Sequence, residues 1–343
     1  MDDVDVTLGP GSPSDLAAAI SRSARAADGF GLDIDATLAW VRAVGPDVAS
    51  ASHSAGWESL AAAAAVDVAG ARMLEPHVDA LQILAQAARA DAVSTDAVPG
   101  EDATWGVFAA EGRGVSVRAR EHEGRWVLSG TKPWCSLASH LSHALVTAWT
   151  APDERRLFAV DLRAPGVHPH TGPWVSRGLA QVVSAPVDFD DAAAAPVGDD
   201  GWYLRRPGFA WGGIGVAAVW WGASLPLTEA LARAAAREGA DQLAAAYAGE
   251  ADAASWAARA VLTDAAGRAG RGVDAPAVLA HRVRATVAET ADRIASLAEQ
   301  ALGPAPLTTD EPFARRIADL RIYLRQHHGR RDLAGLGRKL VAS

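Results

Sequence analysis

Apolar positions recur at helical spacing over roughly the first hundred residues, switch to every second residue in the middle, and return to helical spacing thereafter. In the first part, Leu16 and Ile20 stand four apart in an alanine-rich stretch over 15–27. Leu38 and Val41 repeat the pattern over 35–44, and a longer helix is predicted over 57–74. Glu75-Pro76 reads as a fresh helix start, because proline's missing N–H has no helical partner in the first turn anyway. Val78, Leu81, Leu84 and Ala85 then form one apolar face, and Pro99-Gly100 closes the segment.

The period changes at Gly114-Val115-Ser116-Val117-Arg118, where apolar and polar residues alternate as on a half-buried strand. Glu123-Gly124 reads as a turn and Trp126-Val127-Leu128 as the returning strand. Further strands are predicted over 145–149, 157–162, 181–183 and 187–189, punctuated by Pro152, Pro165-Gly166 and Gly172-Pro173. From Pro207 the helical period resumes, with long helices expected over 208–237, 240–268, 275–302 and 311–340. Pro226 is expected to kink or break the first of these. Pro276 and Asp310 with Pro312 start the last two, and Gly303 ends the third. The fold class expected is α+β: an N-terminal helical domain (1–100), a central antiparallel β domain (101–206) and a C-terminal four-helix bundle (207–343).

Composition narrows the function. Half of the 343 residues are apolar, enough for a large core, and the net charge of −9 is mixed along the chain. Nucleic-acid and membrane-surface partners call for a concentrated basic patch, so neither is expected. The single cysteine, Cys135, can form no internal disulfide, which suits a reducing cytoplasm. No unbroken apolar run reaches the ~18 residues of a membrane span. The start, Met1-Asp2-Asp3-Val4-Asp5, is acidic, unlike a signal or transit peptide. A cytoplasmic globular protein is expected.

Four segments, in order, carry a family resemblance. They are Trp126-Val127-Leu128-Ser129-Gly130-Thr131-Lys132-Pro133-Trp134-Cys135-Ser136; Val187-Asp188-Phe189-Asp190-Asp191-Ala192 with Pro196-Val197-Gly198; Ala301-Leu302-Gly303; and Asp319-Leu320-Arg321-Ile322-Tyr323 followed by Arg331-Asp332-Leu333-Ala334-Gly335-Leu336-Gly337-Arg338. Together they resemble the acyl-CoA dehydrogenase superfamily, in a divergent actinobacterial-type form. The resemblance implies FAD as cofactor and an acyl thioester as substrate, whose α proton goes to a carboxylate and whose β hydrogen leaves as hydride to the flavin. It also implies that Trp134 and Ser136 lie against the flavin, since an indole can stack on the ring system and a hydroxyl can hydrogen-bond its nitrogens. In a chain with 12 tryptophans, a core or interface aromatic is the competing role for Trp134.

Three departures bear on chemistry. Where the family has a Thr-Glu and a Gly-rich Ser-Asp loop against flavin and thioester, this chain reads Ala109-Ala110-Glu111-Gly112-Arg113-Gly114. Glu111 is the remaining cofactor-facing candidate, and a solvated turn carboxylate is its ordinary role. The Arg-x-x-Phe-Gly element that grips FAD's pyrophosphate across a dimer has no counterpart between Arg237 and Gly249. Arg233 and Arg237 are candidate replacements there, against the usual role of a solvated helix face. Finally, the usual catalytic Glu is missing. Four residues beyond Tyr323 stands His327, and the alternative location on the first bundle helix reads Trp211-Gly212-Gly213-Ile214.

A neutral imidazole can accept a proton near neutral pH, so His327 is the catalytic candidate the resemblance offers, with His328 beside it. The competing role for the pair is to cap a helix end near Gly329. His140 and His143 read as structural, with no metal site expected, and His77 is unassigned. Gly212-Gly213-Ile214-Gly215 and Gly335-Leu336-Gly337 read as helix-packing positions, because neither follows a strand in a βαβ unit. The functional expectation is an FAD-linked oxidoreductase of acyl thioesters, assembled as a homodimer or homotetramer through the C-terminal bundle. The alternatives are a flavin monooxygenase on the same fold, and a non-catalytic subunit in a hetero-oligomer with a second, competent homologue.

Overall fold

A computed structural model describes residues 4, 6–9, 11–93, 100, 102–206, 208–272 and 275–341. Four helices come first: α1 (Asp15–Ala26), α2 (Ile34–Ser50), α3 (His53–Val66) and α4 (Val68–Arg89). Side chains of Ser14, Asp33, Ser52 and Asp67 cap their N-termini, each accepting a backbone N–H of the first turn. The helix break predicted at Glu75-Pro76 lies instead at Asp67, whose extended backbone (φ −149°) interrupts the chain and whose carboxylate caps Gly70. Pro76 therefore sits inside α4, and the Arg72 carbonyl goes without its helical N–H there. Pro99 lies outside the described residues.

Seven strands follow: β1 (Trp105–Phe108), β2 (Val117–His122), β3 (Arg125–Ser136), β4 (His143–Ala151), β5 (Glu154–Asp161), β6 (Val167–Pro169) and β7 (Ser184–Val197). Around the sheet, β4 pairs β2, β2 pairs β3, β3 pairs β7, β7 pairs β5, and β5 returns to β4, so the pairing closes on itself. The β unit is not wholly antiparallel, because β1 and β2 both run parallel to β4. The strand expected over 181–183 is a turn. Val182 N–H returns to Leu179 O, and Leu179 (φ +49°) donates its own N–H to the Asp319 carboxylate. The four-residue β1 was not predicted.

The C-terminal helices are α5 (Trp202–Arg205), α6 (Gly208–Ala235), α7 (Gln242–Ala269), α8 (Pro276–Leu302), α9 (Pro304–Thr309), α10 (Glu311–Tyr323) and α11 (Arg330–Val341). The start expected at Pro207 falls on a residue outside the described ones. α6 runs unbroken through Pro226, against expectation. It is long and apolar enough to cross a bilayer by length and composition, yet 78% of its most apolar window is buried, as in the central helix of a bundle. It packs so closely on α3 that a Cβ at Gly222 would stand 2.1 Å from the Ala61 carbonyl oxygen. The fourth bundle helix is not continuous over 311–340. A 3₁₀ turn (Leu324–Gln326) and the stretch 327–329, with Gly329 at φ +55°, separate α10 from α11. That interruption places His327 in a break between helices rather than on a helix face.

Candidate active site

The β unit contributes a bulge. The register of β3 against β7 slips between Lys132 and Cys135, which forces Pro133 and Trp134 out of the ladder. Trp134 adopts φ +60°, rare for a residue with a Cβ, and its side chain is 63% exposed. Pairing resumes at Cys135 opposite Ala185, and in the next pair the hydroxyls of Ser136 and Ser184 lie 2.8 Å apart. From α4, Arg72 Nη2 donates to Ser136 Oγ at 3.0 Å. The expected flavin-facing pair thus sits at the seam between the β unit and the helices.

α4 supplies the charged groups behind that seam. Arg72, Glu75 and Asp79, spaced three and four apart, share one helix face. Glu75 is buried. The Tyr323 hydroxyl donates to its Oε2 at 3.2 Å, and Arg72 Nη1 lies 3.8 Å from the same oxygen. Burial pushes the Glu75 carboxyl up to about 7, an effect that the Arg72 charge and the Tyr323 hydrogen bond only partly offset. Burial and the Glu75 charge likewise hold the Tyr323 phenol well above its ordinary value, so it stays a donor. Asp79 is raised by burial and opposed by Arg206, whose Nη2 approaches it at 3.3 Å.

A cavity of ≈ 20 Å³, room for about one water, lies between α3, α4 and α6. Its walls include His53, Trp57, Glu75, Asp79, Gln82 and Trp211. Next door, His77 Nδ1 accepts the Trp105 N–H at 3.2 Å, and burial drives its imidazole down to about 4. His77 is therefore a neutral tie between α4 and β1.

His327 and Tyr323 both pack against Trp220. The edges of Trp220 face both rings, with centroids 6.2 Å from Tyr323 and 6.3 Å from His327. His327 Nδ1 lies 3.1 Å from Asp332 Oδ2, and burial lowers its pKa against the pull of Asp332. The neighbouring His328 donates its backbone N–H to the same carboxylate, so Asp332 fixes the break. Arg284 crosses this region with its guanidinium 4.7 Å from the Trp220 ring centre. It donates to Gly213 O at 2.7 Å and to Gln326 O at 3.3 Å. One guanidinium therefore bridges the two stretches, on α6 and beyond Tyr323, in which a catalytic carboxylate was sought and not found.

Glu111 is placed elsewhere. Its carboxylate accepts from Lys132 Nζ (2.9 Å), Trp149 Nε1 (3.2 Å) and Arg155 Nη1 (3.2 Å). Burial raises its pKa, but the bonds and charge of Lys132 outweigh that and hold it below the ordinary value. Lys132 is 1% exposed and also donates to Thr147 O and Oγ1. Glu111 is thus the counter-ion to a buried ammonium.

The family model "Acyl-CoA dehydrogenase, C-terminal domain" matches residues 199–325. A solved structure of butyryl-CoA dehydrogenase from Megasphaera elsdenii superposes with a TM-score of 0.81 at 16% identity, over 97% of this chain and 100% of that one. The chain has the acyl-CoA dehydrogenase fold. KijD3, solved with FMN and dTDP-3-amino-2,3,6-trideoxy-4-keto-3-methyl-D-glucose, gives a TM-score of 0.81 at 19% identity, over 99% and 97% of the two chains. TdsC from Paenibacillus sp. A11-2, solved with FMN and indole, gives 0.79 at 16% identity over 96% of each. At such identities the likeness is one of fold. No curated protein matches the chain.

Within the acyl-CoA dehydrogenase fold, sequence reasoning missed Arg72, Glu75, Tyr323 as a hydrogen-bond donor, and Arg284. A signal existed in the spacing of Arg72, Glu75 and Asp79, three charges on one helix face.

Proposed function

We propose that the protein is an FAD-linked oxidoreductase of the acyl-CoA dehydrogenase type that acts on an acyl thioester, in the cytoplasm and as a homo-oligomer. One observation carries this reading: an exposed indole on a left-handed bulge stands two residues from a hydroxyl pair that Arg72 connects to a buried carboxyl. The residues present fit a flavin ring system. Trp134 offers an aromatic face, the Ser136 and Ser184 hydroxyls offer a donor and acceptor pair, and Arg72 offers a cation beside them. When bound, the flavin supplies a two-electron acceptor. The chain's own residues would hold the ring against the seam, keep water out with the Trp220–Tyr323 packing, and place the thioester beside Glu75 and Arg284.

A second reading, a flavin monooxygenase on this fold, draws support from Arg284, a cation where a catalytic carboxylate was expected. It also draws support from KijD3 and TdsC, which were solved with FMN beside a nucleotide sugar or indole. The test is the visible spectrum of the purified protein with FAD, taken without oxygen before and after octanoyl-CoA. Bleaching of bound flavin by the thioester supports the dehydrogenase. Bleaching only by an external reductant moves the assignment to the monooxygenase, and failure to bind FAD or FMN removes both.

A further inference from the structure

We infer that Glu75 is the group that accepts the substrate's α proton, standing on α4 in place of a carboxylate on the first or last bundle helix. This rests on the acyl thioester reading. In the step, the Cα–H bond breaks and an O–H bond forms on the Glu75 carboxylate. The electron pair remains on the thioester as its enolate, whose charge faces the guanidinium of Arg72.

Four observations support the assignment. Glu75, 8% exposed, lines the cavity between α3, α4 and α6, which holds about one water until its walls part for an acyl group. Among the described residues, its hydrogen bonding is limited to the Tyr323 hydroxyl on Oε2, which leaves Oε1 free to receive a proton. Arg72 links it to Ser136, so the carboxyl lies one side chain from the bulge that carries Trp134. The other acid of the cavity, Asp79, is engaged by Arg206. The ionisable groups facing Glu75 are Arg72 and Asp79 on its own helix, Tyr323 on α10, Arg284 on α8 and His53 on α3, across the cavity. Burial dominates this balance and leaves the carboxyl near neutrality, where a base is most effective.

The test reads proton transfer without oxidation. Protein loaded with FAD and reduced beforehand is incubated with butyryl-CoA in D2O, and deuterium at the α carbon is followed by mass spectrometry. The wild type is expected to exchange, faster as pH rises through about 7. Glu75→Gln, which keeps the shape, is expected to lose on the order of 10²–10⁴ of that rate with its flavin spectrum intact. Tyr323→Phe, which removes a bond to the ionised carboxylate, is expected to move the pH midpoint upward, and this holds the assignment open to test should Glu75→Gln fold poorly. Exchange at the wild-type rate in Glu75→Gln would overturn the inference, as would loss of exchange in His327→Ala alone. If the wild type is bleached by octanoyl-CoA and Glu75→Gln exchanges normally, the functional reading stands and this inference falls. If the wild type is neither bleached nor exchanges, both fall.

Discussion

Two charged clusters lie along the same pair of helices, α4 and α10, and they behave differently. At one end Asp67, Arg316 and Asp319 are turned onto backbone, and Arg315 pairs with carboxylates. Asp67 caps Gly70 and pairs with Arg315 at 2.6 Å, and Asp319 receives the Leu179 N–H. Arg316, fully enclosed, donates to the carbonyls of Ala64, Ala65 and Val66 at the end of α3 and to that of Ala223 on α6. About two turns further along the same helices, Arg72, Glu75 and Tyr323 make fewer bonds and face a cavity. Residue types alone do not separate the clusters. What the carboxylate faces does: backbone N–H groups make a joint, while a phenol and empty space leave a proton acceptor that can change state.

The comparison can be broken from either end. The largest effect is expected at the open cluster. There, Glu75→Gln should slow the wild-type flavin reaction with octanoyl-CoA by about 10²–10⁴ while changing the melting temperature little, as read by rapid mixing and by calorimetry. The joint should show the reverse pattern. Arg316→Met removes an enclosed guanidinium that donates to four carbonyls and should cost about 3–5 kcal/mol of stability, measured by denaturant unfolding.

Glu111→Gln sharpens the contrast on the β unit. It strips the counter-ion from an ammonium that is 1% exposed and should cost about 3 kcal/mol in the same assay. Gly222→Ala probes the α3–α6 contact on which both clusters rest. The added methyl meets the Ala61 backbone, so a loss of about 1–3 kcal/mol is expected. The smallest effect is that of Tyr323→Phe. Without the phenol's bond the ionised form of Glu75 is less favoured, so the acid limb of the rate profile should shift to higher pH by less than about one unit.

Much of this architecture was legible from periodicity. The helices over 15–26, 242–269 and 276–302 fall close to where apolar spacing put them, because capping residues and prolines mark their ends. The segment from Gly130 to Ser136 drew attention through its family resemblance. What stayed hidden depends on distance along the chain. The Tyr323–Glu75 bond spans 248 residues, and no local pattern announces it. Closure of the β unit through the parallel β2–β4 pairing is equally non-local. Pro76 misled because a proline reads as a start, while the capping carboxylate of Asp67 nine residues earlier set the true boundary.

The most direct measurement sets wild type and Glu75→Gln side by side, both loaded with FAD, and mixes each with octanoyl-CoA without oxygen. The account predicts equal flavin binding in the two proteins, prompt bleaching in the wild type, and bleaching slowed by two to four orders of magnitude in the variant. Equal bleaching rates in the two proteins, or no bleaching in the wild type, would contradict it.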